Sequence, residues 1–265
     1  MYRVELAKAA RRWRTWMLAF VLGAIPSLIV VGLVFSRPHQ GEGPPFFSLI
    51  ASSGLFAPLT ALAVLQPFFL PLTASLLAGD TIAGEASAGT LRYLVARPVG
   101  RRRLIAHKYL AAMTLVALGV LWAVVVGSIA GGSAFGFGPL PTLSGTVLTT
   151  AGTIVRMLAA AAYVTAGVAG LAAIGVFVSV LTESSPGATV ATVIFAIVSQ
   201  ILDALSSLRV IHPYLLSHDW QKFTDLFRDP ISWTGMRHGL IVDVCYIVIF
   251  LGAALTIFTR KDVTT

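Results

Sequence analysis

Charge is what this chain has least of. Only 11% of its 265 residues are Asp, Glu, Lys or Arg, against 57% that are hydrophobic, whereas a soluble domain carries roughly 25% charged residues. A water-soluble fold of this length could not cover its surface with so few charges, so lipid is the expected solvent. Cysteine is nearly absent too. The single Cys245 lies inside an apolar run, which excludes a disulfide within the chain and reads as small apolar packing. Catalytic motifs are missing: there is no Walker A loop, no H-E-x-x-H, no C-x-x-C and no G-x-S-x-G. The chain is therefore expected to be no enzyme, without catalytic, cofactor-binding or metal residues, and unable to hydrolyse ATP by itself. Acidic residues are few as well, leaving a net charge of +8. The basic residues gather at the ends of apolar runs and not along one face, which excludes a nucleic-acid surface.

Long apolar runs are abundant. A spanning helix needs about 20 mainly apolar residues. Six stretches qualify: residues 16–35, 55–78, 104–130, 154–181, 188–205 and 240–258. The fifth is the most polar, with Gln200 and Asp203 near its end. In lipid the backbone must satisfy its own hydrogen bonds, so each run is expected to be a helix. No ten-residue alternation suggests a β-barrel. The expected fold is an all-α membrane protein, one transmembrane domain over 1–265. The first run is too long for a signal-peptide core and is expected to stay as an uncleaved span. With the N-terminus inside, 13 of the 19 Lys and Arg fall on the inner side. That predicts a multi-pass chain with both termini cytoplasmic.

Residues 1–15 suit a helix lying along the inner leaflet, or a plain basic anchor. Leu6, Ala10, Trp13 and Met17 fall on one side, and Lys8, Arg11 and Arg12 on the other. Residues 206–239 form a long outer loop whose aromatics suggest short pieces folded at the membrane surface. His212 and His218 share that loop, within reach of a metal or simply hydrogen-bonded. Gly119, Ala123, Gly127 and Gly131 recur every four residues, as do Ala162, Ala166 and Gly170, a spacing that lets helices approach closely, within one subunit or between two. Pro58, Pro67 and Pro71 interrupt the second span and invite a bend. Arg156 and Asp203 near outer helix ends could pair.

The most informative segment is 79–103. Asp80 and Glu85 follow directly on the second span, then come Gly89, Thr90 and Leu91, then Pro98 and Arg101–Arg103. Thr90 can cap a short helix that Pro98 stops. Leu91, Leu94 and Val95 would offer an apolar contact, with Glu85, Arg92 and Arg97 as its polar rim.

This order of residues resembles the signature of ABC-2-type permeases, the membrane subunits of ATP-driven exporters. In that family an acidic residue at the end of the second span is followed by a Glu, then Gly-Thr-Leu, a Pro, a basic stretch and a Lys. Here those are Asp80, Glu85, Gly89-Thr90-Leu91, Pro98, Arg101–Arg103 and Lys108. The resemblance implies six spans, an N-terminal interfacial helix and a short cytoplasmic coupling helix. It also implies a second permease subunit, same or homologous, and a separate ATPase subunit that holds ATP and Mg. Asp80, Glu85, Gly89, Thr90, Leu91, Arg92, Leu94, Pro98 and Arg101 would form the contact with that ATPase. The implied location is the cell membrane. An apolar pathway without an acidic relay favours a lipophilic or amphiphilic cargo. Two other readings stay open: a membrane scaffold without transport, and an intramembrane enzyme. For the latter, Leu77-Ala78-Gly79-Asp80 is similar to the G-x-G-D of intramembrane aspartyl proteases but lacks the first glycine.

Overall fold

The computed structural model describes residues 2–35, 46–50, 53–89 and 100–260. Nine α-helices form among the described residues: α1 Tyr2–Ala10, α2 Trp13–Phe35, α3 Ala57–Leu65, α4 Phe69–Ser87, α5 Arg101–Phe135, α6 Thr150–Ala166, α7 Ala169–Leu181, α8 Ser185–Ala204 and α9 Thr234–Arg260. No strand forms among the described residues beyond one isolated bridge between Pro141 and Val147. Five helical runs are long and apolar enough to cross a membrane: α2, α5, Thr150–Leu181, α8 and α9. The run expected over 55–78 is instead a pair, Gly54–Leu65 and Phe69–Ser87, bent by 59°. The chain is a multi-pass membrane protein.

The bend has a local cause. Pro67 has no N–H for the carbonyl of Ala63, and Pro71 has none for the carbonyl of Pro67. Two oxygens thereby lose their partner within the helix. Each is taken by a glutamine from elsewhere in the chain. Gln221 Nε2 donates to Ala63 O at 3.0 Å, and Gln200 Nε2 donates to Pro67 O at 2.8 Å. Gln200, a blemish in an apolar helix when read alone, completes the broken one. Replacing it by leucine is expected to lower stability by about 1 kcal/mol, the usual size of a side-chain hydrogen bond in a membrane protein. A lowered thermal-unfolding temperature in detergent checks this.

The fourth run is broken as well. Gly167 and Val168 end α6, with Gly167 N–H donating to Tyr163 O at 2.8 Å, and α7 restarts with Ala172 N–H on Val168 O. Tyr109 of α5 reaches into the break and donates to Ala169 O at 3.1 Å. Of the second stripe of small residues, Ala162 is exposed while Gly170 faces Leu216, Asp243 and Tyr246. These two do not share one interface.

The first stripe does lie along one contact. A side chain at Gly119 would meet Leu22 of α2, one at Gly127 would meet Pro58, and one at Gly131 would meet Gly54 and Ala57. Ala123 between them is fully buried. All four residues therefore seat α5 against α2 and the first half of the bent pair, within the same chain.

Two faces of the bundle follow from the contacts. Arg101 Nη1 donates to Phe258 O at 3.1 Å and Thr259 O at 3.2 Å, so α9 ends beside the start of α5. α1 lies there too, packed on α5. The opposite face is capped by the 136–149 and 205–233 segments. Leu143 N–H donates to Phe227 O at 2.8 Å. Trp220, Phe223 and Phe227 are buried, Trp233 is exposed, and Phe46 packs edge-on against Phe227. This segment thus folds as short 3-10 turns, and α9 starts already at Thr234. Arg156 belongs to this cap: its Nη1 donates to Leu226 O and Arg228 O, both at 3.0 Å. It makes no pair with Asp203, whose carboxylate is engaged by His218.

Candidate functional site

The charged side chains that the bilayer leaves few of are concentrated on the first face. α1 presents Tyr2, Glu5 and Lys8, and the turn after it presents Arg12, at a spacing that keeps them on one side of a helix. Tyr2 Oη lies 2.7 Å from Thr114 Oγ1. Lys108 Nζ donates to Glu5 Oε2 at 2.8 Å and to Glu85 Oε1 at 3.3 Å. Lys8 also pairs with Glu85, and Arg12 pairs with Asp80. Ser185, at the start of α8, donates to the other oxygen of Asp80 at 2.5 Å. Three cations and three carboxylates thus tie α1 to the end of α4, the start of α5 and, through Ser185, α8. They line a small open cleft.

The face of α1 turned to the protein is the polar stripe Tyr2, Glu5 and Lys8, with Glu5 the buried member. Trp13, Trp16 and Met17 are exposed. The physical reason is that at the edge of a bilayer apolar residues lose nothing by facing lipid, whereas a charge gains from a partner.

Glycines make the room. At Gly79 a Cβ would come 2.9 Å from Thr189 N, so the bare backbone lets α4 lie against α8. At Gly84 it would meet the Asp80 carboxylate at 2.5 Å. Gly89 has φ +65° and its N–H donates to Ala86 O at 3.0 Å. A left-handed residue just past the helix end is the usual glycine stop. The glycine of the Gly-Thr-Leu triplet therefore ends α4.

Glu85 is 3% exposed and Lys108 4%. Glu85 differs here from an exposed polar rim: it is buried, and its Oε1 is shared by the ammonium groups of Lys8 and Lys108. Asp80 is more open but is held by Arg12 and Ser185. Arg101 grips the last carbonyls of α9, where a cation is favoured by the helix dipole. Thr90, Leu91, Arg92, Leu94 and Pro98, and with them the expected coupling helix, lie outside the described residues.

Glu5, Lys8, Arg12 and Ser185 were not among the expected site residues. Glu5 had a signal: it is the sole acidic residue in the first 41 positions, amid six Lys and Arg. Ser185 had none, because only folding brings α8 to Asp80. Chemically the site is a set of paired charges. It is built to hold elements together, with each carboxylate engaged by a cation.

Comparison with known proteins finds relatives over part of the chain. Over 119 residues, 45% of this chain, it is 37% identical to a Pseudomonas aeruginosa protein named probable ABC transporter permease protein NosY. Over the same length it is 33% identical to the protein of that name from Stutzerimonas stutzeri. The match spans 40% of the length of each relative. A family model described as protein of unknown function DUF2705 matches residues 27–264. The chain belongs to the DUF2705 family.

Proposed function

We propose that the chain is the permease subunit of an ABC transporter of the ABC-2 type, crossing the membrane six times with the bent pair as its second span. The observation that carries the reading is the charged knot. It clamps the chain on both sides of residues 90–99, at Glu85 before them and at Lys108 after them, to one helix, α1. A force applied to that short segment reaches α1, α4 and α5 together. The bend at Pro67 then offers the place where α4 can swing against α3. That is how a rigid-body switch is biased from one end.

In this reading the face bearing α1 is cytoplasmic, in keeping with its excess of Lys and Arg. Both termini lie there, in the cell membrane. A separate ATPase subunit, carrying ATP and Mg²⁺, docks on residues 90–99 through Leu91 and Leu94. Asp80, Glu85 and Arg101 act as positioning residues that fix the docking segment. A second permease subunit completes the pathway, and transport runs outward. A mostly apolar open cleft lies between α2 and α4, lined by Met17, Leu18, Val21, Phe69 and Leu72 with Arg14 at its edge. It suits a lipophilic or amphiphilic cargo entering from the bilayer.

The test is reconstitution. The purified chain and its ATPase partner, placed together in vesicles, are expected to move an amphiphilic dye only when ATP and Mg²⁺ are present on the ATPase side. A stable complex without ATP-dependent flux would favour the scaffold reading. Chemistry from the chain alone, lost on Asp80→Asn, would favour an enzyme.

A further inference from the structure

On the face opposite α1, a second cluster of polar side chains has no part in the knot. α8 starts at Ser185, beside Asp80, and ends at Ala204. Twenty residues of helix rise about 30 Å, so Asp203 sits one bilayer thickness away from Asp80. The chain then turns through two short 3-10 segments, Ser206–Leu208 and His212–Tyr214, and doubles back along the helix. Ser199 and Ser217 fasten the return, with their hydroxyls 2.8 Å apart and the Ser217 N–H on Ser199 Oγ at 3.3 Å. The return places two histidines against one carboxylate. His218 Nδ1 lies 2.6 Å and His212 Nδ1 3.8 Å from Asp203 Oδ1. One nitrogen from each histidine and one oxygen of Asp203 all fall within 4.8 Å of one another.

The hydrogen bonding around His212 bears on what belongs between them. Its Nε2 lies 3.1 Å from Leu205 O. A carbonyl can only accept, so Nε2 carries the hydrogen and in the neutral ring Nδ1 is a bare lone pair. That lone pair faces an oxygen of Asp203. The two atoms stand 3.8 Å apart, where one cation serves both, and His218 Nδ1, which now donates to the same oxygen of Asp203 at 2.6 Å, gives up that proton when it becomes a ligand. An imidazole whose far nitrogen is tied to a carbonyl is also how metal-bound histidines are oriented.

We propose that Asp203, His212 and His218 form a binding site for a divalent ion of the zinc class. Two imidazole nitrogens and a carboxylate oxygen suit Zn²⁺, and Cu²⁺ or Ni²⁺ by the same chemistry, and disfavour Mg²⁺ and Ca²⁺. With bonds near 2.0–2.1 Å, tetrahedral ligand atoms lie about 3.3 Å from each other. The separations here, from 2.6 Å up to 4.8 Å, bracket that value, so small rotations of the side chains close the site. Three protein ligands leave one position open, and the His218 side chain is 35% exposed. A bound ion would staple the 205–218 turn to the end of α8. Tyr246 of α9 already donates to Tyr214 O at 3.1 Å in that turn, so occupancy would also join α8 to α9 at this face.

The experiment is Zn²⁺ binding by the full chain, purified in detergent without a histidine tag, with bound metal counted by mass spectrometry after dialysis. One equivalent is expected, and Zn²⁺ but not Mg²⁺ should raise the thermal-unfolding temperature. Loss of an orienting partner alone lowers metal affinity about 10–100-fold, so His212→Ala and His218→Ala should each lower it by at least as much. Asp203→Asn, close in shape, guards against a folding artefact and should also lose the stabilisation. His238 pairs with Asp219 in a separate contact, so His238→Ala should bind as the parent does. Less than one equivalent on the parent chain, or unchanged binding by the His212 and His218 variants, would overturn the proposal. Either result would leave the permease reading untouched.

Discussion

Replacing Lys108 by methionine should cost the protein about 3–5 kcal/mol, the usual penalty for removing one partner of a buried charge cluster. Lys108 is the hub of the knot: its ammonium reaches Glu5 and Glu85 at once, and its side chain is 4% exposed. Without it two carboxylates are left together at the membrane edge. Lys8 remains for Glu85, but its side chain is 47% exposed, and exposed pairs contribute about 0–1 kcal/mol. Lys8→Met should therefore be mild. Thermal unfolding in detergent should fall by roughly 10 °C for Lys108→Met, at 2–4 °C per kcal/mol for a chain of this size. The triple change Glu5→Gln, Glu85→Gln, Lys108→Met removes the buried charges, leaves only the half-exposed Lys8 without its partner, and should recover most of the loss. If the single lysine variant matches the parent, the knot is not what seats α1.

The second large effect is steric. Gly131→Leu should destabilise by about 3 kcal/mol or more, at the upper end of overpacking penalties. Even a Cβ at this position would collide with the backbone of Gly54 and come 2.6 Å from the Ala57 side chain. Backbone cannot rotate away, so α5 and the start of the bent pair must separate. Gly252 on α9 is the control, since nothing lies within 4 Å of a Cβ there. Gly252→Leu should unfold like the parent. Equal stability of both variants would mean that α5 does not pack through its small-residue stripe.

These two residues also mark what was readable in the sequence. Long apolar runs located the membrane helices because hydrocarbon admits few alternatives to them. The four-residue period of Gly119 to Gly131 announced a close approach, but a period carries no information about its partner. Pro67 announced a bend. Its completion by Gln200 and Gln221 was not readable, because both come from distant segments and look like ordinary polar residues. In the candidate site the motif picked out Asp80, Glu85 and Lys108. It suggested the wrong orientation for Glu85, since local spacing gives neighbours along the chain and leaves open which side turns inward. Glu5 was overlooked because a basic amphipathic helix is normally read by its apolar side. His212 and His218 were noticed together, whereas Asp203 joins them only when the chain folds back on α8.

The central claim is that this chain is worked from outside itself, by an ATPase bound to residues 90–99. The direct measurement is the amount of P-loop ATPase that stays with the chain in mild detergent, quantified by mass spectrometry. Near-stoichiometric ATPase is expected with the parent chain. Loss of that ATPase is expected with Leu91→Asp/Leu94→Asp, while thermal unfolding of the variant chain stays unchanged, because a leucine side chain carries no charge for the knot to lose. A parent chain that carries no ATPase, or a double variant that retains it in full, would contradict the account.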